Sequence, residues 1–315
     1  MIRILISDTH FGWKQNSVTW LNSQMRFIDE QLIPFIRKCK DEVRLIHLGD
    51  VFDSRSSISP MIAKTVRERF IKLASMVKDF YIIAGNHDFY SPITDEYDTL
   101  SLVFRDCGIK LVIKEVVTDG EDMFVPWYCY KQDLSDKLAG IHNIYTHADI
   151  FGEDLELTSK YNRCNIFSGH IHIPRLDENK RLYNLGSCYS LNFADANWPR
   201  FAYVWSYEKL KPIENKSSIR FWRIRNDDFF SDLHDTNDYY EFYIKQIDLQ
   251  SPKYQERAKE IAKKYKNYNI IPVVDEMIIE YENVDVYDIE EICKQSIPEH
   301  LRDKFQKIIE IASST

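Results

Sequence analysis

The chain has 315 residues, 44% hydrophobic and 29% charged, with a net charge of −8 and an isoelectric point near 5.7. That length buries a substantial core in one main domain plus a smaller one, and the ordinary balance excludes general disorder. The acidic sign excludes a protein that holds nucleic acid by its overall field, but it leaves room for a metal-dependent nuclease, because divalent cations invert the local sign of an acidic cleft.

Arg3 to Ser7 predicts a buried strand with Asp8-Thr9-His10 at its carboxyl end. In extended backbone residues i and i+2 share a face, so both side chains can reach one ion; a polar loop after a strand is the alternative. Trp20 to Lys38 has helical apolar spacing at Leu21, Met25, Ile28, Leu32 and Ile36 in spite of Pro34. It crosses to a second buried strand, Leu45 to Leu48, followed by Gly49-Asp50-Val51-Phe52-Asp53. Gly49 lets the backbone turn sharply. Asp50 is then placed to be a carboxylate shared by two metal ions. A polar loop, Ser54 to Pro60, and a helix from about Met61 to Val77 lead to a third strand, Phe80 to Ala84.

That strand ends in Gly85-Asn86-His87-Asp88. Asn86 offers a carbonyl ligand, and His87 can hydrogen-bond a substrate oxygen or protonate a leaving group. Asp88 is expected to orient His87 and raise its proton affinity. Leu102 to Pro126 reads as shorter strands with a hairpin turn at Thr118-Asp119-Gly120-Glu121. Phe124 to Tyr128 is expected to pack as sheet edge and loop, with a stacking platform as the alternative. His142 to Thr146 is a strand delivering His147, and Asn165 to Ser168 another delivering Gly169-His170-Ile171-His172, whose alternate imidazoles point the same way. The candidate ligands are therefore Asp8, His10, Asp50, Asn86, His147, His170 and His172. This mixed oxygen and imidazole set suits two cations such as Mn²⁺, Fe²⁺ or Zn²⁺ better than Mg²⁺ alone.

Arg181 to Leu185 and Phe201 to Tyr207 read as closing strands. Arg55, Arg175, Arg200 and Arg223 are candidate contacts to a DNA backbone, with scattered surface charge as the alternative. Ile219 to Arg225 alternates basic and apolar residues, which describes a DNA-tracking edge and a half-buried strand with solvated arginines equally well. The acidic, turn-rich Asn226 to Asp238 marks a boundary, so the first domain is 1–226. A strand (Tyr239 to Ile247), a helix (Pro252 to Tyr265) capped by Ser251, and a strand (Ile270 to Tyr281) make a small domain over 227–283. Val286 to Gln295 and Pro298 to Ala312 read as two short helices within 284–315, the last with an apolar stripe that suits a partner or self-packing. The six cysteines form no CxxC pair and no run reaches membrane-spanning length, so the expectation is a soluble, intracellular protein in a reducing compartment.

The series D-x-H, G-D, G-N-H-[DE], H and G-H-x-H, in that order, resembles the calcineurin-like metallophosphoesterase superfamily. Gly49 to Arg55, Val125-Pro126-Trp127, Ser168 to His172 and Tyr183 to Ser187 resemble more narrowly the Mre-eleven/SbcD DNA-repair nucleases, closest to their tailed-phage recombination-endonuclease members. The resemblance implies a four-layer α-β-β-α sandwich with a small α/β capping domain and a C-terminal helical hairpin. It implies two Mn²⁺ ions (Fe²⁺, Zn²⁺ or Mg²⁺ as substitutes), one on Asp8, His10, Asp50 and His172 and the other on Asp50, Asn86, His147 and His170. His87 takes a catalytic role apart from metal binding. The implied activity is exonuclease on DNA ends and endonuclease on single strands, in a homodimer whose C-terminal segment docks on a Rad-fifty/SbcC-type, SMC-like ATPase. The implied location is cytoplasmic, that of a bacterial host for a phage-encoded chain. Phe89 and Asp53 depart from the cellular members, which carry a small residue with a nearby proline and, in archaea and eukaryotes, a histidine; both bear on the exonuclease balance. A metallophosphatase or nucleotide phosphodiesterase for small substrates is the alternative reading.

Overall fold

Alternation along the first strand, β1 (Ile2–Ile6), sets the layering: Ile4 and Ile6 face a helical layer, Leu5 faces a second sheet, and all three are buried. The computed structural model describes residues 1–91, 94, 96–152 and 161–273. The helix expected over Trp20 to Lys38 starts earlier and survives Pro34 by changing pitch. α1 (Val18–Phe27) passes through a π turn (Ile28–Leu32), in which the Ile33 N–H reaches back to the Ile28 carbonyl, into α2 (Ile33–Lys38). A widened turn accommodates a residue that has no N–H to give.

The chain continues through β2 (Val43–His47), α3 (Pro60–Ala74) and β3 (Asp79–Ile83). Next comes α4 (Thr99–Phe104), where strands were expected from Leu102; the Asp98 carboxylate accepts the Ser101 N–H and starts the helix instead. β4 (Lys110–Val112), β5 (Val117–Asp119) and β6 (Asp122–Val125) follow. Asp119 pairs with Asp122, so Gly120-Glu121 is the two-residue turn of that hairpin. β7 (Asn143–Thr146), β8 (Asn165–Ser168), β9 (Arg175–Asp177), β10 (Leu182–Asn184), β11 (Phe201–Ser206) and β12 (Lys209–Glu214) complete the main body.

Two six-stranded sheets result, in the orders β12-β11-β1-β2-β3-β4 and β5-β6-β7-β8-β10-β9. Between them Leu5, Ile46, Tyr81 and Ile83 meet Phe124, Tyr145, Phe167 and Tyr183. The helices cover the first sheet outside, and Cys129, Leu134, Ile150 and Tyr161 cover the second. This is the expected mixed α/β sandwich. At the amino ends of the strands, Asp122 accepts Arg3 Nε at 2.9 Å and an Arg44 guanidinium N–H at 2.7 Å, tying sheet to sheet. Chemistry is left to the opposite, carboxyl ends.

β13 (Phe221–Arg225), β14 (Tyr239–Lys245), α5 (Gln246–Leu249), α6 (Pro252–Lys264) and β15 (Tyr268–Val273) form a third unit, a parallel sheet in that strand order. Its first strand lies ahead of the boundary drawn at 226. The acidic segment is no linker: the buried Asp238 accepts the Arg220 N–H and Trp222 Nε1–H, both at 2.9 Å, and holds the segment inside this small domain. The unit is anchored on α1, where Trp20 stacks on Phe221 and Tyr239 at 6.0 and 6.2 Å. Asn197 lines the outer edge of β13: its N–H donates to Phe221 O, its side-chain oxygen accepts the Arg223 N–H, and its amide donates to Arg223 O. The remainder of the last strand, the two C-terminal helices and Cys293 lie outside the described residues. The described cysteines form no disulfide with one another, and among the described residues no helix is long and apolar enough to cross a membrane.

Candidate metal centre

Five strand ends meet above the two sheets. β1 delivers Asp8 and His10, β2 delivers Asp50, β3 delivers Asn86 and His87, β7 delivers His147, and β8 delivers His170 and His172. Asp8, His10, Asp50 and His170 hold left-handed φ angles of 50°, 44°, 55° and 75°, a conformation costing an L-residue roughly 1–2 kcal/mol. Cross-links hold them there. Asp8 N–H and His10 N–H donate to Gly49 O and Asp50 O at 3.1 Å, and His170 N–H donates to the Asp8 carboxylate at 3.1 Å. Space is as tight as the angles. A Cβ on Gly49, at φ +102°, would sit 2.5 Å from His147 Nδ1, and one on Gly85 would collide with the Asp50 carboxylate.

Two groups of donors have their atoms within 4.8 Å of one another, Asp8, His10 and His172, and Asp50, His147 and His170; a third, His10, Asp53 and His87, shares His10 with the first. Asn86 joins the second, its Oδ1 lying 3.0 Å from both His147 Nε2 and His170 Nδ1. Asp50 Oδ2 stands between the groups, 3.3 Å from His147 Nε2 and 3.8 Å from His10 Nε2. His10 Nε2 faces His172 Nε2 at 3.2 Å, and the buried His10 Nδ1 has no hydrogen-bond partner among the described residues. Each of these contacts is closed by a proton on one ring nitrogen or by a cation bound in its place. The donor set therefore fits divalent cations, and both groups combine carboxylate with imidazole, the chemistry of Mn²⁺, Fe²⁺ and Zn²⁺ sites.

Electrostatics prepare His10 and His170 as ligands and leave a proton on His147 for a cation to displace. Burial drives the His10 imidazole down to about 3 and His170 to about 4, so both present neutral nitrogens. For His147 burial opposes charge, yet the Asp50 carboxylate prevails and lifts it to about 9. Its Nδ1–H donates to Leu48 O at 2.7 Å, which turns Nε2 toward Asp50. Asp50 in turn is held well below the usual carboxylate range: burial works against its charge, and His147 and His10 outweigh that.

His87 lies 5.0 Å, ring to ring, from His10, and its Nδ1–H donates to Asp53 O at 2.7 Å. Nε2 is thereby the atom left to exchange a proton with a substrate. Asp88 does not orient it. The fully buried Asp88 carboxylate accepts the N–H groups of Asp50, Val51 and Gly85 at 2.9, 3.0 and 2.9 Å, and so builds the turn that presents Asp50. Burial, then Asp50, pushes its pKa up to about 7 against those donors.

The arginines divide. Arg55 is half-buried on the loop after Asp53, and Arg175 is exposed, 4.3 Å above the Phe151 ring. Arg223 is half-exposed and pairs with Glu241 at 3.1 Å. Arg200 is wholly buried, so a direct DNA contact is ruled out for it; backbone carbonyls and Asp195 surround its guanidinium.

Sequence reasoning named Trp127 without placing it at the metal centre; its ring lies 5.0 Å from His170 and 6.0 Å from His147 and walls the second group. Its place just beyond the end of β6, beside the strand that delivers His147, was the available signal. It also missed His47. Gly49 N–H donates to its Nδ1 at 3.2 Å, so its Nε2–H donates to Thr9 Oγ1 at 3.0 Å. Burial drives this ring down to about 3. The unfolded chain takes up the proton near pH 6.5, so the stabilisation is complete above that pH and is lost as pH falls toward 3, by about 1.4 kcal/mol per pH unit. In chelator, urea unfolding of His47→Asn, which keeps an acceptor for Gly49, should therefore show a pH dependence between 6 and 4 shallower by about that slope. Equal slopes for variant and parent would contradict this role.

The sequence model described as calcineurin-like phosphoesterase matches residues 3–187. No curated protein matches the chain. A crystal structure from Streptococcus pneumoniae TIGR4, described as a conserved uncharacterized protein and predicted phosphoesterase, is similar at 15% identity and a TM-score of 0.33, over 69% of this chain and 91% of that one.

Proposed function

The chain belongs to the calcineurin-like phosphoesterase family, and from that premise we propose that it is a DNA nuclease of the Mre-eleven/SbcD type. Hydrolysis of phosphoester bonds follows from the family; the DNA substrate is our reading. The observation that carries it is the small domain beyond residue 215, which a phosphatase for small substrates does not require. This domain stands on α1, and Lys14, between His10 and that helix, holds its Nζ 5.7 Å over the Tyr239 ring. Along β14, Tyr240, Phe242 and Ile244 turn into the domain's core, while Tyr239, Glu241, Tyr243 and Lys245 alternate outward. Register sets Arg223 beside Glu241 and Arg225 beside Tyr243. On that face Tyr239 is covered by Trp20 and Arg223 is paired with Glu241, and Arg225, Tyr243 and Lys245 continue it as a basic and aromatic stretch that suits a long polyanion.

Cations bound at the two groups would place positive charge on the phosphate oxygens and acidify a water. The chain's own part is positional. Asp88 fixes the Asp50 turn, Trp127 walls one side, and His87 Nε2 exchanges the proton of the attacking or leaving oxygen. We assign two Mn²⁺ as the native metals, a homodimer as the assembly, and residues 284–315 as the docking segment for a Rad-fifty/SbcC-type ATPase. These rest on the motif resemblance.

End-labelled linear duplex incubated with the purified chain and Mn²⁺, beside a generic phosphomonoester, tests the reading. DNA cleavage with little phosphomonoester turnover is expected. Phosphomonoester turnover without DNA cleavage, even with the ATPase supplied, would instead establish a small-substrate phosphatase.

A further inference from the structure

We propose that Arg200 is a positioning residue for one half of the metal centre, the group of Asp8, His10 and His172. Its guanidinium is wholly buried, 0% exposed. One terminal N–H donates to the His172 carbonyl at 2.7 Å, the other to Asp195 O at 3.0 Å, and Nε–H donates to Ser190 Oγ at 3.1 Å. Asp195 neutralises it at 3.2 Å while its other oxygen accepts the Leu191 N–H at 2.7 Å. Few side chains can hold a carbonyl from this distance in the fold; the planar fork of arginine presents donors in fixed directions.

The His172 carbonyl accepts one further bond, from Ser187 N–H at 3.0 Å, and the Ser187 hydroxyl shares its proton between Asp8 O and Tyr189 O, each at 2.7 Å. Arg200 and Ser187 thus clamp the backbone of two ligands of the same group. Neither makes a bond to Asp50, Asn86, His147 or His170. Those are held by Asp88, by Leu48 O and by each other. The two groups touch through the Asp8–His170 and His10–Asp50 bonds, but Arg200 braces the first group alone, so its loss acts on that group before the other. The inference depends on the metal centre and not on which phosphoester is cleaved.

The test is Mn²⁺ binding to the full chain, followed by electron paramagnetic resonance and calorimetry, which read the ions and not turnover. The parent defines two classes of site. In Arg200→Met one class is expected to weaken about 10–100-fold, as when an outer partner of a ligand is lost, while the other stays within about threefold and the spin coupling between neighbouring ions disappears at stoichiometric Mn²⁺. Because removing one member of a buried ion pair can unfold a protein, the same titration is made on Arg200→Met/Asp195→Asn, which removes both charges and keeps an acceptor for Leu191. Arg200→Lys, which retains charge without the fork, should fall between parent and Arg200→Met. Equal weakening of both classes, or unchanged binding in the folded double variant, would overturn the proposal.

Discussion

Asp50→Asn is expected to lower phosphoester hydrolysis at least about a thousandfold, near 4 kcal/mol of transition-state stabilisation, and to abolish tight binding of both cations together. No other carboxylate in the described centre stands between the two donor groups, with one oxygen 3.3 Å from His147 Nε2 and 3.8 Å from His10 Nε2. Its second oxygen accepts the His87 N–H at 2.8 Å, a bond that the asparagine oxygen can keep. The substitution therefore removes charge and leaves the turn intact, since Asp88 bonds the backbone and not the side chain of residue 50. Calorimetric titration with Mn²⁺ beside initial-rate measurements checks both halves. A variant that still bound two ions tightly would refute the shared role.

The second large effect separates neighbours in sequence. His87→Ala should reduce kcat by about 10²–10⁴-fold, the usual contribution of a general acid or base, with Mn²⁺ affinity and melting temperature close to the parent's. Its side chain bonds Asp53 O, at the edge of the centre, and supplies no support to the ligand turns. Asp88→Ala should behave oppositely. It leaves three buried N–H groups unpaired, at about 1–3 kcal/mol each, so the protein should melt far below the parent and lose metal affinity as the Asp50 turn relaxes. If His87→Ala bound Mn²⁺ as poorly as it turned over, His87 would belong among the ligands rather than the proton-transfer groups.

The layered α/β architecture and the places where side chains converge were legible because both are written locally. A buried strand shows as a short apolar run, and a ligand-bearing end shows as a glycine turn with Asp, Asn or His directly after it. What escaped was decided by partners far along the chain. Arg200 reads as one more basic residue in a loop, and only the carbonyl of His172 and the carboxylate of Asp195 convert it into a buried brace. Asp88 looks like a partner for His87 because it is adjacent; its oxygens go to amides near residue 50, and in the short 3-10 turn Asn86–Asp88 they point away from the imidazole. The small domain's first strand was assigned to the wrong side of a boundary because parallel pairing of Phe221–Arg225 with Tyr239–Lys245 leaves no trace in either segment. At Thr99–Phe104, β-favouring Leu102, Val103 and Phe104 outweighed the capping signal of Asp98, although the cap decided the outcome.

Asn197 gives the third sheet a direction. One asparagine engages Phe221 O and both backbone groups of Arg223, and so closes the β13 margin over that stretch to another polypeptide. The longer open margin for a strand that extends this sheet is Tyr268–Val273, the outer strand on the other side among the described residues. Pro272, which has no N–H to donate, shortens even that margin. Recruitment by strand addition is thus biased to the flank remote from Asn197.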